Sequence, residues 1–171
     1  MDHRRLAGRF NARLGRATGT RLIGGADEPL YQPGSGRHPA VIRYARDHAQ
    51  SVLHELAHWC LAGPTRRCLV DYGLAYDPPP RSPARQARFF RAEVPVQALE
   101  LLFARACGLP FHFSVDDPAA PRDDGVCRFE ARVVRAHQAL LRHGPNADAV
   151  MVLDAMAPDW RARVRPWRAA S

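Results

Sequence analysis

Residues 54–63 of this chain, HELAHWCLAG, hold the side chains whose types and spacing are best suited to chemistry. His54 and His58 are four residues apart, so on an α-helix both imidazoles face one side and can bind one cation. Glu55 faces the same side and could act on a water or another oxygen ligand of that ion. The pattern therefore predicts a metal site with Glu55 as its catalytic group. The alternative from the residues alone is a polar helix face with two exposed histidines.

Two histidines leave a metal site incomplete, and the third ligand should be a carboxylate or another histidine. Glu93 is an attractive candidate because it shares a helical stripe with Gln97 and Glu100. It also lies far enough along the chain from His58 for a returning helix to pack alongside. Spacing alone leaves open whether Glu93 is instead a solvated carboxylate near a helix end. The other candidates by residue type are Asp71, Glu100, His112 and His137.

Two chemistries use this kind of ligand set. Two histidines and one glutamate on Zn²⁺ describe a metallopeptidase, in which Glu55 would be the general base that activates water. The same ligand types on Fe(II), with open coordination positions, describe an oxygenase that binds O₂. The identity of the ligands does not separate these two possibilities, so both metals remain open at this point.

A helix over residues 48–62 is predicted to position the motif. Asp47 is its predicted N-cap, with Gln50 three residues later as in a capping box, and a Gly-Pro pair at Gly63 marks its end. The face opposite the histidines is apolar and should pack into the core; its residues are Ala49, Leu53, Leu56 and Cys60.

The rest of the chain is predicted to be mostly helical with a small sheet. Ser82 followed by Pro83 predicts a helix start, and Pro95 predicts a break in that helix near residues 91–94. Few and irregularly spaced strands favour an α+β fold, in a single domain over residues 1–171. Further helices are expected at about 3–17, 126–144 and 146–156, and strands at about 40–45, 68–76 and 111–115, with one short strand at the start of RLIGGADEPLY.

Composition narrows the class of protein. The formal net charge is +8, carried by arginines alone, which predicts attraction to an acidic partner. The arginines are scattered and no basic block is interleaved with aromatic residues, so direct nucleic-acid binding is not favoured. No apolar run is long enough to span a membrane, and no secretory signal is visible at the N-terminus. The four cysteines form no C-x-x-C pair and should be reduced and mostly buried, as expected in the cytoplasm.

The motif and its flanking segments resemble the bacterial elongation factor P hydroxylase family. The resemblance is carried by HELAHWCLAG, by RLIGGADEPLY before it, and by RRCLVDYGLAYDP and FRAEVPVQALELLFARACGLPFHFSVD after it. These segments cover most of residues 20–117. The Trp59-Cys60 pair and the L-V-D-Y-G block make the match more specific than a five-residue metal motif.

This resemblance implies a monooxygenase-like hydroxylase that modifies the β-lysylated lysine of translation elongation factor P. His54, His58 and Glu93 would then hold Fe(II), with Zn²⁺ as the alternative ion and O₂ as co-substrate. Nothing in the residues identifies an electron donor. Because the substrate carries ammonium groups, carboxylates should line its approach, and Asp27, Glu28 and Asp71 are the candidates. Tyr31 and Tyr72 could wall the pocket.

Overall fold

The structure, a computed structural model, describes residues 1–117 and 122–164 of the chain. It is mostly helical with one three-stranded sheet, which confirms the predicted α+β class. Among the described residues, no helix combines the length and apolar character that crossing a membrane requires. In chain order the elements are α1 (His3–Phe10), a π-helical turn (Asn11–Gly15), α2 (Arg16–Thr18), β1 (Thr20–Ala26), β2 (Leu30–Gln32), β3 (Ala40–Ala45), α3 (Ala49–Arg66), a 3₁₀ turn (Val70–Gly73), α4 (Pro83–Cys107), α5 (Asp124–His143), α6 (Ala147–Met156) and α7 (Trp160–Arg163).

The sheet has the strand order β1-β3-β2, with β1 parallel and β2 antiparallel to the central strand β3. Alternate residues such as Leu22, Tyr31 and Ile42 are buried on one face. The predicted strands at 40–45 and at the start of RLIGGADEPLY are confirmed. The short strand β2 was not predicted, because its three residues lie within a Gly- and Pro-rich segment.

Two predicted strands are wrong. Residues 68–76 contain the 3₁₀ turn, in which Asp71, Tyr72 and Gly73 all have positive φ, so their alternating apolar side chains do not belong to extended backbone. Residues 111–115 have no regular secondary structure. Their backbone is held from one side by the amide of Gln97, which bonds to both the N–H and the C=O of Ser114.

Helix α3 begins one residue later than predicted. His48 is the N-cap, with extended backbone and no side-chain cap bond. The prediction that Asp47 caps the helix is wrong, since its φ is 49° and its carboxylate accepts a hydrogen bond from the N–H of Gly25. Gln50 donates to the carbonyl of His112 instead of completing a capping box. The helical backbone is interrupted at Gly63, as predicted, and one further turn follows to Arg66.

Helix α4 begins as predicted, with the Ser82 hydroxyl accepting from the N–H of Arg85 and Pro83 at its first position. The predicted break before Pro95 is wrong, because one helix continues to Cys107. Pro95 is exposed and removes only one helical hydrogen bond, while the residues that follow it, including Val96 and Leu99, are buried. Tertiary packing therefore outweighs the local cost of the proline.

The main core lies between the sheet, α1, α3, α4 and α6. The predicted apolar face of α3 is confirmed, with Leu53, Leu56 and Cys60 almost fully buried and Ala49 packed at the margin. Helix α4 packs beside α3 along the face that carries the histidines. This helix pair therefore frames the candidate site. Trp160 at the start of α7 is buried.

Candidate metal centre

Three side chains from α3 and α4 converge on one point. The Nε2 atoms of His54 and His58 are 3.1 Å apart. Glu93 lies opposite, with its Oε2 3.7 Å from His54 Nε2 and its Oε1 3.6 Å from His58 Nε2. One ligand atom from each residue can be chosen so that all three lie within 4.8 Å of one another. The two imidazoles come from adjacent turns of α3, and the carboxylate comes from the neighbouring helix.

The donor set fits a divalent transition metal. Ligand atoms about 2.1 Å from a shared ion lie roughly 3 to 3.5 Å from one another, close to the separations found here. Two imidazole nitrogens 3.1 Å apart also need a proton or a cation between them, because two lone pairs would repel. Two histidines and one carboxylate are typical both of catalytic zinc and of non-haem iron, and they leave coordination positions open.

Glu100 fixes the orientation of the first imidazole. It is 1% exposed, and its Oε2 accepts a hydrogen bond of 2.8 Å from Nδ1–H of His54. That bond leaves Nε2 facing the centre, in the arrangement by which a carboxylate aligns a metal-binding histidine. The residue type made Glu100 a candidate for the third ligand, but its described contact is with the far side of the His54 ring.

Gln97 connects the site to the segment that follows α4. Its amide nitrogen lies 3.3 Å from Oε2 of Glu93 and also donates to the carbonyl of Ser114. The Gln97 side chain is 1% exposed, so its bonds link the buried Glu93 to the exposed Ser114. The stripe formed by Glu93, Gln97 and Glu100 was visible in the sequence. It marked all three residues as facing one side, without indicating which of them meets a metal.

The buried charges of the site shift one another's protonation. Burial lowers the pKa of His58 to about 3, with the neighbouring charge of His54 acting in the same direction. Burial also opposes protonation of His54, but its hydrogen bond to Glu100 and the charge of Glu93 outweigh this and raise its pKa to about 10. Without an ion, the proton between the two rings therefore belongs to His54, and metal binding would displace it.

Glu55 is buried beside these residues and forms no hydrogen bond with any described residue. Burial raises its pKa to about 7, although the charge of His54 acts in the opposite direction. The pKa of Glu93 is likewise raised by burial against the opposing charge of His54. A carboxyl group that titrates near neutrality can both take up and release a proton. This raised pKa is compatible with the predicted catalytic role of Glu55, which stays a prediction.

Aromatic residues form one wall beside the histidines. The rings of Tyr31 and Tyr72 stack with centroids 4.2 Å apart, and the ring of Tyr72 lies nearly parallel to that of His58 at 6.4 Å. Asp71 accepts a hydrogen bond from the N–H of Tyr31 through Oδ1, which joins the 3₁₀ turn to β2. This contact gives Asp71 a structural bond next to the site.

The structure does not bring the other acidic candidates to the ligands. Asp27 and Glu28 are exposed in the connection between β1 and β2, and neither forms a described hydrogen bond. Glu28 acts electrostatically on Tyr76, whose pKa is raised by desolvation first and then by Asp116 and, more weakly, by Glu28. Glu28 therefore lies close to the segment that follows the 3₁₀ turn.

The two remaining histidine candidates also lie apart from the triad. His112 is exposed, and its described hydrogen bond is made by its backbone carbonyl. His137 is 4% exposed in α5, where its ring bonds to the carbonyl of Ala98 and to the guanidinium of Arg105. Among the candidates suggested by residue type, Glu93 is the one that groups with His54 and His58.

A second region of the surface is open and basic, unlike the buried, acidic candidate metal centre. An open cleft of about 620 Å³ lies between the π-helical turn, β1 and the connection from β2 to β3. Arg16, Arg21 and Arg37 line it, and their guanidinium groups are exposed and have no partner among the described residues. We refer to this region as the basic cleft. Its other lining residues include several glycines and His38, and none is acidic.

The fold and the site together define an α+β protein with a candidate metal centre on an H-E-x-x-H helix. Residues 9–165 match the model of the family described as elongation factor P hydroxylase, so the chain belongs to that family. It is also similar to a curated protein of Haemophilus influenzae, the elongation factor P lysine hydroxylase, with 43% identity over 109 residues. That alignment covers 63% of this chain and 61% of the relative, so the chain spans less than two thirds of the relative's length.

Proposed function

We propose that this protein is an Fe(II)- and O₂-dependent hydroxylase of the β-lysylated lysine of translation elongation factor P. The observation that carries the proposal is the convergence of His54, His58 and Glu93 in a chain that belongs to the elongation factor P hydroxylase family. The name of the Haemophilus influenzae relative supports both the protein substrate and the lysine.

In this proposal each residue of the site has a defined task. His54, His58 and Glu93 hold the ion, and bound Fe(II) supplies the redox chemistry needed to oxidise an unactivated C–H bond. Glu100 keeps the His54 ring turned toward the ion. Glu55 accepts and releases a proton at its carboxylate, which its near-neutral pKa supports. The aromatic wall limits the access of bulk water to these groups.

The zinc metallopeptidase is the alternative use of the same ligands. It would assign Glu55 as the base that activates water and would require a bound peptide to be cut. Family membership favours the hydroxylase. Metal analysis after anaerobic purification separates the two functions: the hydroxylase predicts iron, whereas bound zinc together with peptide cleavage would support the peptidase.

The substrate would approach across surfaces of different charge. Asp71, which bonds to Tyr31, and Glu28, which acts on Tyr76 and follows Asp27 in the chain, would supply the carboxylates that an ammonium-bearing side chain passes. The basic cleft can bind acidic side chains of the partner protein, in keeping with the net charge of +8. Gly34 of the cleft is three residues from Tyr31, so their Cα atoms are at most about 11 Å apart. One bound protein could therefore contact both regions.

Action on a translation factor also supports a cytoplasmic location, with no direct role for nucleic acid.

Mass spectrometry of elongation factor P tests the proposal. Cells that contain the protein should yield elongation factor P with one added oxygen on the modified lysine, and cells without it should not. A His54→Ala variant should fail to restore the oxygen, because it removes a metal ligand and the partner of Glu100. His112→Ala is the matched control, since that histidine is exposed and uses only its backbone carbonyl. Absence of the added oxygen in the presence of the wild-type protein would refute the proposal.

A further inference from the structure

The 3₁₀ turn beside the metal centre holds Tyr72 in a strained conformation. Asp71 and Tyr72 have φ values of 46° and 58°, in the left-handed region that residues with a side chain rarely adopt. Several hydrogen bonds fix the turn: Asp71 Oδ1 accepts from Tyr31 N–H, and the carbonyl of Tyr72 accepts from Arg66 Nε–H. Strain maintained in this way is characteristic of positions whose side chain must be presented to a ligand.

The hydroxyl of Tyr72 is buried without a hydrogen-bond partner among the described residues. This is unusual, because a phenol removed from water normally finds a partner. Its neighbour Tyr31 has one, since the Tyr31 hydroxyl donates to the carbonyl of Arg67. The two stacked rings therefore differ: Tyr31 is bonded within the fold, and Tyr72 is not.

Glu55 is a second polar group without a hydrogen-bond partner in the part of the chain that the structure describes. Glu55 is 8% exposed and makes no described hydrogen bond. After burial itself, Glu55 is the group that acts most strongly on Tyr72, whose pKa both effects raise. Tyr72 and Glu55 are thus electrostatic neighbours, the Tyr72 ring lies beside that of His58, and both the phenol oxygen and the carboxylate can accept hydrogen bonds.

We propose that the Tyr72 hydroxyl and the Glu55 carboxylate together bind the ammonium group of the substrate's modified lysine. An ammonium carries three donors and no acceptor, so it can bond to both oxygens at once. The nearby carboxylate of Asp71 favours a cation and would repel an anion. The two arginines next to this group of residues are already bonded: Arg66 to the carbonyl of Tyr72, and Arg67 to the carbonyl of Trp59 and to Asp148. The inference rests on the proposed function, because it takes the substrate to be a lysine derivative.

The test uses Tyr72→Phe with Tyr76→Phe as the matched control. Both substitutions remove one hydroxyl and keep the ring. Tyr76 is exposed, and its hydroxyl already has a partner, Asp116. Binding is measured under anaerobic conditions with the iron-loaded full chain, so that no turnover occurs. The probes are a short peptide with a β-lysyl-lysine side chain and the same peptide with its amines acetylated.

Tyr72→Phe should raise the dissociation constant of the amine peptide about tenfold, the usual loss for a hydrogen bond to a charged group. It should leave the weaker binding of the acetylated peptide unchanged. Its melting temperature should be equal to or above that of the wild type, since no bond within the fold is lost. Tyr76→Phe should change neither affinity and should lower the melting temperature slightly.

Three results would overturn the inference. Tyr72→Phe could bind the amine peptide as tightly as the wild type, it could lose both peptides equally, or it could melt well below the wild type because the hydroxyl is bonded within the fold. Failure of the proposed function would look different. In that case the wild-type protein itself would bind neither peptide and would leave elongation factor P unoxidised, and the inference would fall with the function.

Discussion

The candidate metal centre and the basic cleft differ in burial and in charge. At the metal centre, Glu55, Glu93 and Glu100 are all less than 10% exposed in a chain whose net charge is +8. At the cleft, Arg16 and Arg37 are exposed and form no described bond. The buried acidic groups of the centre have fixed positions, whereas the exposed arginines of the cleft can change conformation to fit a partner.

This contrast separates two kinds of contribution to function. Interactions in a buried site are strong and sensitive to geometry, because water does not screen them. Exposed charges act mainly on the rate and specificity of encounter, and salt weakens them. Substitutions of the proposed metal ligands should therefore abolish chemistry, while substitutions at the cleft should weaken the use of a whole protein substrate.

Replacing the proposed third ligand should have the largest effect. Glu93→Ala removes the only carboxylate that groups with the two histidines among the described residues, so iron affinity should fall at least about 100-fold and activity with it. Isothermal titration of the apo-protein under anaerobic conditions measures the affinity. Glu130→Ala, which removes a carboxylate of α5 that pairs with Arg122, is the control and should bind iron normally. Full iron occupancy in Glu93→Ala would contradict the ligand assignment.

Removing the charge behind His54 should have the next largest effect. Glu100→Gln keeps the shape of the side chain but replaces the anionic acceptor of Nδ1–H, so iron affinity should fall about 10- to 100-fold. Unlike Glu93→Ala, this variant should regain most of its activity when iron is supplied in excess. Activity that stays low at saturating iron would mean that Glu100 acts in the reaction and not through His54.

Charge reversal in the basic cleft should have a smaller and selective effect. The double variant Arg16→Glu/Arg37→Glu should raise the KM for whole elongation factor P about tenfold at low salt, and less at high salt. The KM for a short modified peptide should not change. Arg132→Glu/Arg135→Glu on α5 makes the same charge change at two other exposed arginines and serves as the control. Equal effects of the two double variants would indicate that net charge matters and the cleft does not.

Replacing His137 should have the smallest effect. It should change neither the metal centre nor the basic cleft. Burial lowers the pKa of His137, although its bond to the carbonyl of Ala98 opposes this. The unfolded chain then binds the proton more readily than the folded one, so the free energy of unfolding should hold above about pH 6.5 and fall below it. Urea denaturation across this pH range should show a shallower fall for His137→Gln, with unchanged iron affinity. The same pH dependence in both proteins would exclude His137 as its source.

The sequence predicted the half of the site that lies on one helix. Four-residue spacing places His54 and His58 together whatever the rest of the fold does, and the apolar residues opposite them, such as Leu56, identified the buried face. The position of Glu93 depends on how α4 packs beside α3 and on the rotation of α4, which no local pattern encodes. Because Glu93 and Glu100 share a stripe, spacing alone left both open as the third ligand. The family resemblance favoured Glu93, which groups with the two histidines, while Glu100 bonds to the His54 ring.

The errors in the predicted fold have a common origin in tertiary structure. The segment around Tyr72 has the alternating apolar pattern of a strand, but left-handed backbone turns it toward the metal centre instead. Pro95 predicted a break, yet the buried second half of α4 holds the helix together. Asp47 had the right position for a cap, but its carboxylate bonds to the strand β1. In each case a long-range contact outweighed a local preference.

Incorporation of labelled oxygen tests the central claim most directly. The iron-loaded protein is added, under heavy-isotope O₂, to an extract of cells that lack it, since the extract supplies the natural electron donor and elongation factor P. The account predicts one heavy oxygen on the modified lysine, and none with the Glu93→Ala variant. Light oxygen taken from water, cleavage of a peptide bond, or an unmodified lysine in the presence of the iron-loaded wild-type protein would contradict it.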